Sequence, residues 1–244
     1  MKFRLLVTLV LLCLNVNIYA QEAPMPNLQE GDKWVYNIKI DQLPQGSMTR
    51  KWEFSVVRVS SSSVVVARKP VDSNLPPQES AFANDWSRSN SVNGKITTTL
   101  KNFDFPLQVG KKWEVAFTDE KPNDKIKLVK RSFTYKVIGW EEVKVTAGTF
   151  KAIKIEADGE WFNEFFPTNI IAGSRVESGA TGSSVTIESR NSSTPKSTSG
   201  KYYKAIWYSP EVKREVKSVE ETFNADSSIS NRTTAELDSL QLQR

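Results

Sequence analysis

Four carboxylates and four aromatic rings crowd into residues 156–166 of this chain. Glu156, Asp158, Glu160 and Glu164 stand beside Trp161, Phe162, Phe165 and Phe166. Paired carboxylates are enough to cleave a glycosidic bond, and sugar sites set such acids beside aromatic platforms. The same rings serve equally as the lining of a binding mouth, because consecutive aromatics on a strand point to both faces and do not fit one buried layer. Two other clusters suggest chemistry by spacing alone. Ser193-Thr194-Pro195-Lys196 has the Ser-x-x-Lys spacing of some acyl-enzymes, which place it at a helix start. Here it lies in a Ser/Thr-rich stretch with a proline inside. Asp119, Glu120 and Asp124 offer oxygen ligands to a hard cation. They lack the alternating Asp/Asn-and-Gly pattern of a calcium loop, and Lys121 and Lys125 stand among them, so a solvated hairpin tip is the expectation.

What is missing narrows the chemistry further. The chain has no histidine, and Cys13 is its single cysteine. Residues beyond Cys13 therefore supply no thiol nucleophile, no Ser-His or Cys-His pair and no His/Cys zinc site. We expect no intrinsic catalysis, no catalytic residues, no metal site and no cofactor. The net charge of +5 is spread along the chain, with no basic run longer than Lys111-Lys112 or Lys130-Arg131. Nucleic-acid binding needs a concentrated basic patch, so no such partner is expected.

Residues 1–20 have the pattern of a cleaved signal peptide. Lys2 and Arg4 precede an apolar core from Leu5 to Leu14, and Ala20 is small enough to precede cleavage before Gln21. The core is too short to span a membrane, which takes about 20 residues. Leu12 before Cys13 does not suit lipoprotein processing, which prefers a small residue there. The expectation is export to the periplasm or the extracellular space, with no transmembrane segment left after cleavage. Disulfides are then impossible despite a permissive compartment.

The elements that must position any site are strands. Leu28-Gln29-Glu30-Gly31-Asp32-Lys33-Trp34 recurs as Leu107-Gln108-Val109-Gly110-Lys111-Lys112-Trp113. Each copy opens an alternating run, Trp34-Tyr36-Ile38-Ile40 or Trp113-Val115-Phe117. Second runs follow at nearly the same offset, Trp52-Phe54-Val56 and Phe133-Tyr135-Val137. This points to an internal repeat of two β-meanders, about 26–71 and 105–157. Period-two alternation with turn residues between predicts strands at 33–40, 50–59, 63–69, 95–101, 111–118, 126–138, 141–146, 150–157, 182–190, 201–208, 212–223 and 233–242. No long segment places apolar residues at three-and-four spacing with caps. Residues 72–94, with Pro76-Pro77, and the Ser/Thr/Gly-rich 173–200 are expected as long polar loops, with Phe82 and Trp86 folding back onto the core or as a lid. The whole suggests one all-β domain over 21–244, a curved antiparallel sheet, half-barrel or barrel-like.

Three motifs carry a resemblance. Phe105-Pro106-Leu107-x-x-Gly110-x-x-Trp113, Ala147-Gly148-Thr149-Phe150-x-Ala152-x-Lys154-Ile155 and Trp207-Tyr208-Ser209-Pro210-Glu211-Val212 follow one another within about residues 100–221. In this order they resemble a set of secreted bacterial proteins grouped as a domain of unknown function. The resemblance implies a curved antiparallel sheet similar to the half-barrel of periplasmic lipoprotein carriers, and it brings no catalytic residues with it.

Three functions stay open on the sequence. The preferred one is an exported, non-catalytic binding or carrier protein of the bacterial envelope for an apolar or amphipathic small molecule or lipid, with Trp161, Phe162, Phe165 and Phe166 at the mouth. In that reading Trp34, Trp52, Trp113, Phe133 and Trp207 face inward. The alternatives are a structural or interaction module binding protein or polysaccharide, and a carboxylate-based glycoside hydrolase.

Overall fold

The computed structural model describes residues 22–92, 95–167, 174–179, 182–187 and 196–243. The leader, residues 1–20, lies outside them, as do Ser193, Thr194 and Pro195 of the Ser-x-x-Lys spacing. The described residues form strands and no helix. In chain order these are β1 (Lys33–Gln42), β2 (Gly46–Val59), β3 (Ser63–Pro70), β4 (Gln78–Ala83), β5 (Arg88–Val92), β6 (Lys95–Leu100) and β7 (Lys112–Glu120). There follow β8 (Ile126–Val145), β9 (Gly148–Phe165), β10 (Ser174–Gly179), β11 (Gly182–Ile187), β12 (Ser197–Ser209), β13 (Arg214–Phe223) and β14 (Ile229–Gln241).

Ten of these strands make one antiparallel sheet in the order β4-β3-β2-β1-β14-β13-β12-β9-β8-β7. The chain steps outward from β1 to the β4 edge and crosses through the β5–β6 hairpin to the far edge at β7. It then steps inward until β14 pairs with β1. The β10–β11 hairpin is an excursion between β9 and β12. The sheet is curved and does not close into a barrel. Strands β8 and β13, which are not neighbours, approach each other, and so do β8 and β14. A β-bulge at Val137/Gly139 bends the long β8–β9 hairpin. Its tip reaches back so that the Ala147 N–H donates to the Leu237 carbonyl at 3.2 Å.

Leu28–Trp34 and Leu107–Trp113 form matching turns. Gly31 and Gly110 have φ of 91° and 88°, a region that favours glycine. Gly31 donates to Val56 and receives the strand back through Val56 N–H to Asp32 O. Gly110 and Lys111 do the same with Val137. Bulges follow both valines, pushing Val57 and Ile138 out to solvent.

The core lies on the concave side. Trp34, Val64, Leu107, Val137, Ile153, Ile155, Tyr208, Val212, Val216 and Leu237 are completely buried. The three sequence motifs belong to this scaffold. Leu107 pairs its backbone with Ala23, Gly148 turns the β8–β9 hairpin at φ 142°, and Val212 closes the turn into β13.

The structure corrects three expectations. Residues 72–94 hold β4 and part of the β5–β6 hairpin. β4 is a polar edge strand whose side chains are mostly exposed, so it shows no apolar alternation. Trp86 in the same stretch is buried, with φ 65°. Residues 173–200 likewise contain β10 and the start of β12, besides β11, which falls within the strand expected at 182–190. Trp207 points away from the core, because alternation gives the inner face to Ile206 and Tyr208. Its ring sits between Lys154 and Lys217, at 5.3 and 5.9 Å, and its indole N–H donates to Glu141.

Candidate functional site

Register decides which side chains share the concave face. Arg131, Trp161 and Gly200 are cross-strand partners on β8, β9 and β12; one step along come Phe133, Gly159 and Tyr202, then Tyr135, Ala157 and Lys204. Phe133 and Tyr202 meet edge to face at 5.1 Å across Gly159. A Cβ there would fall 2.5 Å from Phe133 Cδ1, so the glycine is what lets the ring lie flat over the strand. A Cβ on Gly200 would fall 1.9 Å from the Phe223 carbonyl oxygen. That carbonyl crosses over Gly200 and accepts the Trp161 indole N–H at 3.0 Å, fixing the ring.

Two adjoining cavities open on this face. One, of about 330 Å³, is walled by Phe82, Trp86, Phe117, Phe133, Tyr135 and Tyr202, with Arg88, Lys101, Arg131 and Lys204 among them. The other, of about 350 Å³, shares Arg131, Phe133 and Tyr202 and adds Trp161, Asn163 and the Thr222–Ser230 segment. Such dimensions suit a small ligand. Lys204 is salt-bridged to Glu220 at 2.5 Å, and Tyr202 donates to the same carboxylate at 2.7 Å. Burial opposes the charge on both Lys204 and Glu220, but the pairing outweighs it. The Lys204 pKa is held above its ordinary value and that of Glu220 below. Burial draws Arg131 below the usual guanidinium value, with Asp119 pulling the other way.

Linkage makes the Glu220 shift testable. Its folded pKa lies below the unfolded one, so its contribution is complete above the ordinary value of 4.5 and is lost as pH falls through the lowered value. Urea midpoints are expected to fall on acidification below about pH 4.5. Glu220→Gln should start less stable and show a shallower acid limb. Parallel acid limbs in the two proteins would remove Glu220 from the account.

Beside the first cavity, and sharing Trp86 with it, the Arg214 guanidinium is enclosed by four rings. Its Cζ lies 4.5 Å from the Phe54 centroid, 4.9 from Trp86, 5.4 from Tyr36 and 5.6 from Trp34. Its Nη1 is buried without a hydrogen-bond partner among the described residues. Its Nε donates to Glu215 Oε2 at 3.4 Å, and the rings take the place of a polar partner at Nη1.

The four aromatics singled out from the sequence are not all brought to one cavity. Trp161 lines the concave cavity. Phe162, one residue on, turns to the opposite face; it borders an open groove of about 920 Å³ with Lys130 and Lys201, which Trp161 and Arg131 also line. Phe165 and Phe166 are half-buried beyond both. Phe165 pairs with Ile126, and the Phe166 N–H donates to Lys125 O. The neighbouring acids line one strand in place of facing each other across a cleft. Glu156 is salt-bridged to Lys154 at 2.6 Å and accepts from Tyr203, which together hold its pKa down against burial. Glu164 is salt-bridged to Lys127 at 2.7 Å. Asp119 is buried near Arg131, while Glu120 ends β7 and Asp124 belongs to the following turn.

Sequence reasoning passed over Arg131, Tyr202 and Lys204. The signal for Lys204 was present: a lysine in the row Tyr202, Lys204, Ile206, Tyr208 interrupts an otherwise apolar face, and buried cations have partners.

No protein-family model matches the chain, the motif resemblance included, and no curated protein is similar to it. Similar solved structures exist. One, from Bacteroides fragilis and described as exported with a YmcC-like fold, is 13% identical, with a TM-score of 0.45 over 90% of this chain and 99% of its own. A protein from Parabacteroides distasonis described as a lipoprotein is also 13% identical, at TM-score 0.46 with the same coverage. The hypothetical lipoprotein YmcC from Escherichia coli is 8% identical, at TM-score 0.35 over 87% of this chain and 84% of its own. At these identities and TM-scores the likeness assigns this chain neither a ligand nor an activity.

Proposed function

We propose that this chain is a non-catalytic binding protein exported to the bacterial envelope, which takes an apolar or amphipathic ligand into the concave face of its sheet. The observation that carries this reading is the pair of adjoining cavities walled by aromatic rings from β7, β8, β9 and β12 and by Phe82 and Trp86. The leader of Lys2, Arg4 and Leu5–Leu14 supports export. The matching turns at Gly31 and Gly110 support a scaffold of two related meanders, about 26–71 and 105–157. Glu156 and Glu164 are salt-bridged to lysines, and all four acids lie along one strand, which does not favour the hydrolase.

Two measurements test it. Native mass spectrometry of protein purified from its own envelope fraction should show a chain beginning at Gln21 with a co-purifying small molecule. Purified protein should also enhance the fluorescence of N-phenyl-1-naphthylamine, a neutral apolar probe. Trp161→Ala is expected to weaken probe binding about tenfold, or about 1.4 kcal/mol. Phe165→Ser and Phe166→Ser, standing beyond the walls, should weaken it less, and Phe162→Ser on the other face least. Equal effects from Trp161→Ala and Phe162→Ser would move the site away from the concave face.

A further inference from the structure

We propose that the ligand is a single-chain anionic amphiphile whose oxyanion headgroup is held by Arg131 and Arg88 while its chain lies among the aromatic rings. This deepens the binding reading above and rests on it. The walls of the two cavities contain Arg88, Lys101, Arg131 and Lys204, and neither aspartate nor glutamate. Two of these cations are matched by carboxylates just outside the walls, Lys204 by Glu220 and Lys101 by Asp104, both at 2.5 Å. Among the described residues, Arg131 and Arg88 form no comparable salt bridge.

Arg131 is also the best placed of the four. It belongs to both cavities, and its Cζ lies 6.0 Å from the centre of the Trp161 ring. Its Nη1 is anchored on the carbonyls of Lys130 and Phe162, at 2.8 and 3.1 Å. A guanidinium so anchored is pre-oriented, and its planar donor fork matches carboxylate or phosphate oxygens. Asp119 offsets part of its charge. Even so, a cleft walled by one sign of charge and by apolar rings focuses a positive potential inside it. A neutral chain would fill the aromatic part and leave Arg131 partly desolvated, whereas an anion would satisfy both. A cationic amphiphile would bring like charges together in a medium that screens them poorly.

The test is displacement of N-phenyl-1-naphthylamine from the mature chain by four ligands with one chain length: dodecanoate, dodecyl phosphate, dodecanol and dodecyltrimethylammonium. At least one anion should displace the probe at a concentration about tenfold below that of dodecanol, with the cation weakest. The difference between dodecanoate and dodecyl phosphate identifies the headgroup as carboxylate or phosphate. In Arg131→Gln the ratio between anion and alcohol should fall toward one. Arg88→Gln, at an exposed position, supplies the same reading if Arg131→Gln does not fold. Equal displacement by dodecanol and both anions, or an unchanged ratio in both variants, overturns the headgroup inference and leaves the binding reading standing. Displacement by none of the four, together with no probe binding, overturns both.

Discussion

Trp34→Ala is expected to bring the fold close to unfolding, while Trp113→Ala leaves it standing, although the two residues close the same seven-residue pattern. Trp34 is completely buried, and its indole N–H donates to the Val212 carbonyl at 2.9 Å. Its ring meets Trp86 edge to face at 5.8 Å and forms one wall around Arg214. Removing a buried tryptophan costs about 3–5 kcal/mol through lost transfer energy and the cavity left behind. The orphaned Val212 carbonyl adds about 1–3 kcal/mol. Against a total stability of about 5–15 kcal/mol, the loss consumes much of the margin. Trp113 is only half-buried; it stacks on Tyr135 at 5.0 Å and donates to Lys101 O at 2.9 Å in a partly exposed position. Solvent can replace much of that, and about 1–3 kcal/mol is expected. Urea midpoints of the two variants decide it, and equal losses would mean that the two rings are equivalent after all.

This contrast shows what the sequence could carry. Local alternation was legible wherever a strand has one wet and one dry face, so β1, β3, β7 and the first half of β9 fall close to their expected bounds. The turn geometry at Gly31 and Gly110 was also legible, because a left-handed φ and a following tryptophan leave a local signature. Pairings over long separations left no such trace. Nothing local joins Trp34 to Val212, 178 positions away, or places Arg214 among rings from β1, β2 and the stretch between β4 and β5. The same holds for the site. Trp161 stood out as part of an aromatic run, but its partners Arg131 and Gly200 are fixed by the register of β8, β9 and β12. A one-residue change in that register would send them to the other face. Trp207 shows the reverse case: an aromatic in a strand, taken as core, that stands on the outer face under two lysines.

Asp32→Ala is the second substitution expected to act strongly, because three distant parts of the chain meet on this one carboxylate. Asp32 is completely buried. Its Oδ2 accepts the Gln29 N–H at 2.9 Å and lies 2.9 Å from Lys213 Nζ, while its Oδ1 accepts the Gln243 N–H at 2.7 Å. It thereby ties the first turn to the turn before β13 and to the segment after β14. The equivalent residue of the second turn is Lys111, which is salt-bridged to Asp104 at 2.9 Å. The two turns share backbone geometry with the charges reversed. Removing the Asp32 carboxylate leaves the mostly buried Lys213 ammonium without its partner and two backbone N–H groups unmet. Breaking a buried pair from one side costs about 3–5 kcal/mol. Asp32→Asn keeps an acceptor and should lose less. Replacing both members of a buried pair by apolar groups is often close to neutral, so Asp32→Ala combined with Lys213→Met should recover part of the loss. Chemical denaturation of the four proteins reads this directly. If the double variant is no more stable than Asp32→Ala, the charge on Lys213 is not the source of the cost, and the unmet backbone donors at Gln29 and Gln243 are.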